Sequence, residues 1–175
     1  MEGFEGILDL TDRDDSVGSG DYTAVPSGAY DCSVDEIDWR YVENANGSLP
    51  EGTPGLNVRF RVSLDEEDRK GIKVSNKCFF NTYWIPPKDY DADKARKMRG
   101  ALANFLKAAG VTDEELGNKK FNLDNKKDDL EGEELVVVVG KKVNDYHDPP
   151  REENPVVGVK PAGTKNETKK AGAVL

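Results

Sequence analysis

The sequence predicts a mainly β domain, a small and partly open barrel of five strands with one helix. Residues Leu56 to Leu64 alternate strictly between apolar and polar side chains, which is typical of a half-buried strand. Other extended runs precede and follow this one, and a 3.6-residue apolar period separates the third run from the fourth. The order has no βαβ alternation of the kind that indicates a parallel sheet.

The first predicted strand begins after the turn-forming residues 26–28. Its apolar alternation changes phase at Asp35-Glu36, and a β-bulge at that point would explain the change. The apolar residues on the two sides of the bulge are Tyr30, Cys32, Val34, Ile37, Trp39 and Tyr41.

The second and third predicted strands form a hairpin. The second, Leu56 to Leu64, carries Asn57, Arg59, Arg61 and Ser63 on its polar side. Four consecutive acids, Asp65 to Asp68, are typical of the hairpin tip. The third strand is predicted over Gly71 to Trp84. Its alternation separates Ile72, Val74, Cys78 and Phe80 from Lys73, Ser75, Lys77 and Phe79.

A helix is predicted from its cap at Asp91 to its end at Gly110. The spacing of Thr112 and Glu115 predicts a capping box and a second short helix, followed by a loop over residues 117–131. Residues 134–143 contain an unbroken apolar run, which predicts a strand covered on both sides. A polar segment at 144–154 precedes a short closing strand at 156–160.

Composition divides the chain into an acidic flexible arm at 1–25, one domain at 26–161 and a disordered basic tail at 162–175. The formal net charge is −9, and residues 1–38 hold eleven acids against one arginine. From Leu56 to Lys107, by contrast, there are twelve Lys or Arg and seven acids. The global acidity therefore does not exclude an anionic ligand for the hairpin.

Five strands with a helix between the third and fourth match the layout of the OB-fold, which often binds oligonucleotides across strands two and three. The predicted polar face of those strands combines four cations with an aromatic ring, and a mixture of cations and rings suits single-stranded nucleic acid. The residues predicted to contact DNA are Arg59, Arg61, Lys73, Lys77, Phe79, Arg40, Trp39 and Tyr41. Trp84 and Tyr83 are further candidates for stacking on bases.

The order and spacing of several segments resemble a family of phage-encoded OB-fold single-stranded DNA-binding proteins of the replication and recombination region. The segments are Val25 to Tyr30, Leu56 to Leu64, Gly71 to Asn76, Leu102 to Gly110, Leu130 to Gly132 and Asn154 to Pro161. The resemblance implies a protein of the host cytoplasm that coats exposed strands and works with phage replication or recombination proteins. The basic tail departs from the acidic C-terminal tail through which many such proteins recruit partners.

Catalysis, metal binding and cofactors have no support in the sequence. His147 is the only histidine, and it stands far from Cys32 and Cys78, which we expect to be free, inward-facing thiols. We therefore expect no enzyme activity, no cofactor and no membrane segment, while exposed edge strands allow a homo-oligomer. The alternative function is an acidic phage protein that binds another protein, as a virion accessory or a DNA-mimicking inhibitor. The acids of the arm, including Asp12, Asp14, Asp15 and Asp21, would then make the contact.

Overall fold

The computed structural model describes most of the central domain and little of the two ends. The described residues are 11, 24–43, 49–64, 66–67, 71, 73–75, 77–146 and 148–165. The acids of the predicted arm and residues 166–175 of the predicted tail lie outside them, as does His147.

Seven strands and three helices are formed by the described residues. In chain order they are β1 Gly28–Tyr41, β2 Pro54–Val62, β3 Cys78–Trp84, α1 Ala92–Ala108, α2 Asp113–Leu116, α3 Leu123–Leu130, β4 Glu134–Val139, β5 Lys142–Asn144, β6 Arg151–Glu153 and β7 Val156–Pro161. The fold is mainly β, as the alternation predicts. No helix among the described residues is long and apolar enough to cross a membrane.

The main sheet has five antiparallel strands in the order β3-β2-β1-β4-β7. β1 is central and long, and it pairs with β4 through its first half and with β2 through its second half. The register of β1 on β2 shifts between Val34 and Glu36, so the predicted bulge is confirmed. A bulge bends its strand and increases its twist, and β1 therefore joins two differently oriented halves of the sheet.

One hydrophobic core lies between the sheet and α1. The ring of Phe105 on α1 packs edge-on against Phe60 and stacks on Tyr83, with ring centroids 5.8 and 5.0 Å away. The other fully buried side chains come mainly from β1, β2 and β4, and they include Val34, Ile37, Leu56, Val58, Val62, Leu135, Val136, Val137 and Val139. Burial raises the pKa of Tyr83 to about 12, so this phenol stays neutral inside the core.

The predicted helix caps are confirmed. The Asp91 side chain accepts from the backbone N–H of Lys94 at the start of α1, and Thr112 and Glu115 form the reciprocal capping box of α2. The predicted loop over 117–131 is wrong, because Asn122 caps the additional helix α3. The polar segment at 144–154 also contains structure, since β5 and β6 pair as a separate hairpin.

The described strands do not close into a barrel by hydrogen bonding. β3 and β7 are the edges of the five-stranded sheet, and no ladder joins them within the described ranges. α1 packs against both edge strands, so helix side chains cover this side of the core. The observed architecture is thus an open five-stranded sheet wrapped on one helix.

Candidate nucleic-acid interface

The side of β1, β2 and β3 that faces away from α1 is the candidate site, and we call it the polar face. Register places its residues in cross-strand rows. The rows are Arg40–Gly55–Trp84, Asp38–Asn57–Thr82, Glu36–Arg59–Phe80 and Ser33–Arg61–Cys78. Neighbours across antiparallel strands have Cβ atoms about 4.5–5.5 Å apart, close enough to interact directly. The polar face therefore contains arginines, acids, neutral hydrogen-bonding groups and two aromatic rings.

Asp35 organises the two central arginines. Its Oδ2 accepts from Arg59 Nε at 2.6 Å and from Arg61 Nη2 at 3.0 Å. A second Arg59 nitrogen, Nη2, lies 2.8 Å from an oxygen of Glu36. Asp35 is the residue inserted at the bulge of β1. The bulge therefore places its carboxylate between two arginines that are two residues apart on β2.

These contacts favour the charged form of Asp35. The hydrogen bond from Arg61, followed by that from Arg59, lowers the pKa of Asp35 below its ordinary value of 3.8, although partial burial opposes the shift. The same hydrogen bond raises the pKa of Arg61. Asp35 and Arg61 are therefore ionised at neutral pH, and both guanidinium groups keep further N–H donors for a ligand.

Two aromatic side chains of β3 belong to the polar face. Phe80 is paired with Arg59 and is 57% exposed, which is unusual for a large apolar side chain. Trp84 is half-buried and lies over Gly55, where an added Cβ would come within 2.5 Å of the indole. A glycine at residue 55 is thus what lets the Trp84 ring approach the backbone of β2. Phe80 and Trp84 stand four residues apart on the same side of β3, or roughly 13 Å.

Phe79 belongs to the core, and its prediction as a DNA contact is wrong. It is only 3% exposed, and its ring centroid lies 5.8 Å from that of Tyr30. The reason is that residues 71–84 do not form one continuous strand. β3 begins at Cys78, and a turn in which the N–H of Lys77 bonds to the carbonyl of Val74 shifts the alternation by one residue.

The same shift reverses the orientation of Cys78, for which the sequence predicts an inward position. Cys78 is half-buried on the polar face beside Arg61, whereas Cys32 is buried as predicted. Both cysteines are free thiols. Burial raises the pKa of Cys32 to about 12 and also raises that of Cys78, so neither thiol is an activated nucleophile.

The structure separates the three predicted contacts of β1. Arg40 is exposed on the polar face, in the row of Gly55 and Trp84. Trp39 faces the other side, because its Nε1 donates to Asp124 of α3 at 2.8 Å and its ring packs against the core. Tyr41 ends the strand opposite Pro54 and is exposed beyond the core. Only Arg40 of the three is part of the polar face.

The predicted lysine contacts lie outside the polar face. Lys73 pairs with Glu67 in an isolated bridge within the connection between β2 and β3. Lys77 immediately precedes β3 and shares the alternation of the buried Phe79. The same connection contains Glu66, which is 7% exposed and bonded to the backbone N–H of Asp31 and to Lys165.

The polar face as a whole is electrically balanced. Arg40, Arg59 and Arg61 stand among Asp35, Glu36 and Asp38. A ligand that approaches its aromatic rings and guanidinium groups therefore meets only a weak net electrostatic field. Among the described residues, no group of three His, Cys, Asp or Glu side chains is placed to hold a metal ion.

Comparison with known proteins adds no family assignment. No protein-family model matches the chain, and no curated protein matches it.

Proposed function

We propose that this chain is a phage-encoded, OB-fold-like protein that binds single-stranded DNA across the polar face, in the cytoplasm of the host cell. The observation that carries the proposal is the row in which exposed Phe80 stands beside Arg59, with Trp84 farther along the same strand. An exposed ring stacks on an unpaired base whatever its identity, and a neighbouring guanidinium contacts phosphate or adds a cation–π interaction.

The architecture supports this reading. Central β1 pairs with both β2 and β4, and α1 stands between β3 and β4 in the chain, as in the five-stranded layout that the sequence predicts. The proposed ligand lies across β2 and β3, where that layout places oligonucleotides. The proposed activity is the coating of strands exposed during replication or recombination, together with phage proteins of those processes.

The charge balance of the polar face determines what kind of binding to expect. Asp35 and Glu36 offset the attraction of Arg59 and Arg61 for phosphate. We therefore expect stacking to supply much of the affinity and the preference for single strands. Duplex DNA keeps its bases stacked inside the helix and cannot use the exposed rings in this way.

The test is the binding of a labelled oligothymidine, followed by fluorescence anisotropy, to the intact chain and to its Phe80→Ala variant. Removing one stacking ring costs about 1–3 kcal/mol, so the variant should bind roughly five to 150 times more weakly. Val157→Ala is the control, because Val157 is also exposed but lies on β7. Equal affinity of all three proteins would refute the proposed face, and no binding by the intact chain at low salt would refute the function.

Protein binding is the second candidate, and the balanced charge of the polar face favours it. Protein interfaces use aromatic residues and arginine at their centres, and the polar face has both. The Arg59→Gln/Arg61→Gln variant separates the candidates. Loss of oligothymidine binding supports DNA as the ligand, whereas unchanged binding shows that the arginines serve another contact.

A further inference from the structure

The outer surface of α1 carries a dense group of cations that the polar face does not include. Lys94, Arg96, Lys97 and Arg99 are all exposed on its first turns, and we call them the basic surface of α1. At a rise of 1.5 Å per residue, they occupy about 8 Å of the helix axis. From Lys94 to Lys107 the helix has five Lys or Arg and no acid.

Most of these cations lack an acidic partner among the described residues, whereas several other cations of the domain have one. Arg59, Arg61, Lys126, Lys141 and Lys165 all form ion pairs with carboxylates. Within the part of the chain that the structure describes, Lys94, Lys97 and Arg99 form none. Arg96 Nη1 lies 3.6 Å from an oxygen of Asp93, and both side chains are exposed. In a chain of net charge −9, this is a local concentration of positive charge.

The surface between these cations favours a polyanion over a protein. Its other exposed residues are small or polar, including Gly100, Ala101 and Asn104. No large apolar side chain of α1 is exposed. Protein interfaces usually contain a buried aromatic or aliphatic anchor, whereas phosphate backbones are bound by lysine and arginine without one.

The position of α1 connects this surface to the polar face. α1 packs against β3, the edge strand that carries Phe80 and Trp84, and follows it after a short connection at residues 85–91. That connection adds the exposed Lys88. A DNA strand that leaves the polar face across the β3 edge of the sheet therefore meets Lys88 and then the basic surface of α1.

We infer that the basic surface of α1 is a second contact for single-stranded DNA, which holds the phosphate backbone of a strand that continues beyond the polar face. This inference rests on the proposed function. It adds that the binding site extends around the β3 edge, and that affinity depends on the length of the strand.

The experiment compares Lys94→Gln/Lys97→Gln with Lys119→Gln/Lys120→Gln, using oligothymidines of about six and about 30 nucleotides over a salt series. Lys119 and Lys120 are also exposed, and they lie between α2 and α3 in the chain, outside α1 and β3. Both variants make the same change in net charge. Glutamine is a good helix former, so α1 should stay folded.

The Lys94→Gln/Lys97→Gln variant should bind the long strand roughly tenfold more weakly at low salt and the short strand unchanged. Its slope of log affinity against log salt for the long strand should fall by about 1.4, or 0.7 for each lost phosphate contact. Equal losses in both variants, or a loss for both strand lengths, would overturn the inference, as would unchanged binding. If the intact chain binds neither strand, the proposed function fails first and this inference fails with it.

Discussion

Phe79 and Phe80 are adjacent in the chain and perform opposite tasks. Phe79 packs on Tyr30 in the core, while Phe80 is exposed beside Arg59. Both residues are phenylalanine, so residue type cannot distinguish them. Only the alternation of inward and outward positions along β3 does. The signal that could have fixed that phase is Ser75-Asn76, a pair of turn-forming residues before the strand. The alternation of β2, which no turn interrupts, places Arg59 and Arg61 correctly.

This difference gives a stability prediction that is independent of any ligand. Phe79→Ala should lower the free energy of unfolding by about 3–5 kcal/mol, because it removes a buried ring and leaves a cavity. Phe80→Ala should change the free energy of unfolding by no more than about 0.5 kcal/mol, as expected for an exposed position. Urea denaturation measures both, and a larger loss for Phe80→Ala would show that our assignment of the two faces is wrong.

At the scale of elements, the sequence predicts what depends on local periodicity and caps. The β1 bulge, β2, α1, α2 and the apolar run of β4 all follow from such patterns. The sequence does not predict α3, because only Leu123 and Leu130 give this helix an apolar side. The sequence does not predict the β5–β6 hairpin either, because its residues are mostly polar and exposed. Neither element contributes enough burial to leave a periodic signal.

Contacts between distant segments have no local signal at all. Lys165, which follows β7, forms an ion pair with Glu66 in the connection between β2 and β3 and lies 4.0 Å from Asp31. Burial tends to raise the pKa of Glu66, but the hydrogen bond from Lys165 helps to lower it below the ordinary value of 4.5. Burial and the Glu66 charge raise the pKa of Asp31. The ion pair ties the end of the described chain to the hairpin that carries the polar face.

This ion pair predicts a pH-dependent contribution to stability. A carboxylate whose pKa is lower in the folded state stabilises the fold above its unfolded pKa, and the contribution is lost as the pH falls through the folded pKa. Lys165→Met should therefore lower the free energy of unfolding by about 1.5–3 kcal/mol at pH 7, and the loss should shrink toward pH 3. Lys142→Met, on exposed β5, is the control. A loss that does not change with pH would contradict the role given to Glu66.

At the scale of the whole molecule, net charge is a poor guide to the ligand. The chain is acidic overall, yet cations and aromatic rings share the β1–β3 face and four exposed cations lie close together on α1. The sequence predicts this uneven distribution because charge can be counted by segment. It cannot reveal that Asp35 and Glu36 neutralise Arg59 and Arg61, since that depends on the register of β1 on β2.

The central claim is that bases stack on the polar face, and the fluorescence of Trp84 tests it most directly. In a Trp39→Phe variant, Trp84 is the only tryptophan, and its ring lies on the polar face over Gly55. Titration with oligothymidine should quench its emission to saturation, whereas an equal concentration of duplex should have little effect. Binding that leaves the Trp84 emission unchanged, or equal quenching by duplex, would contradict the account.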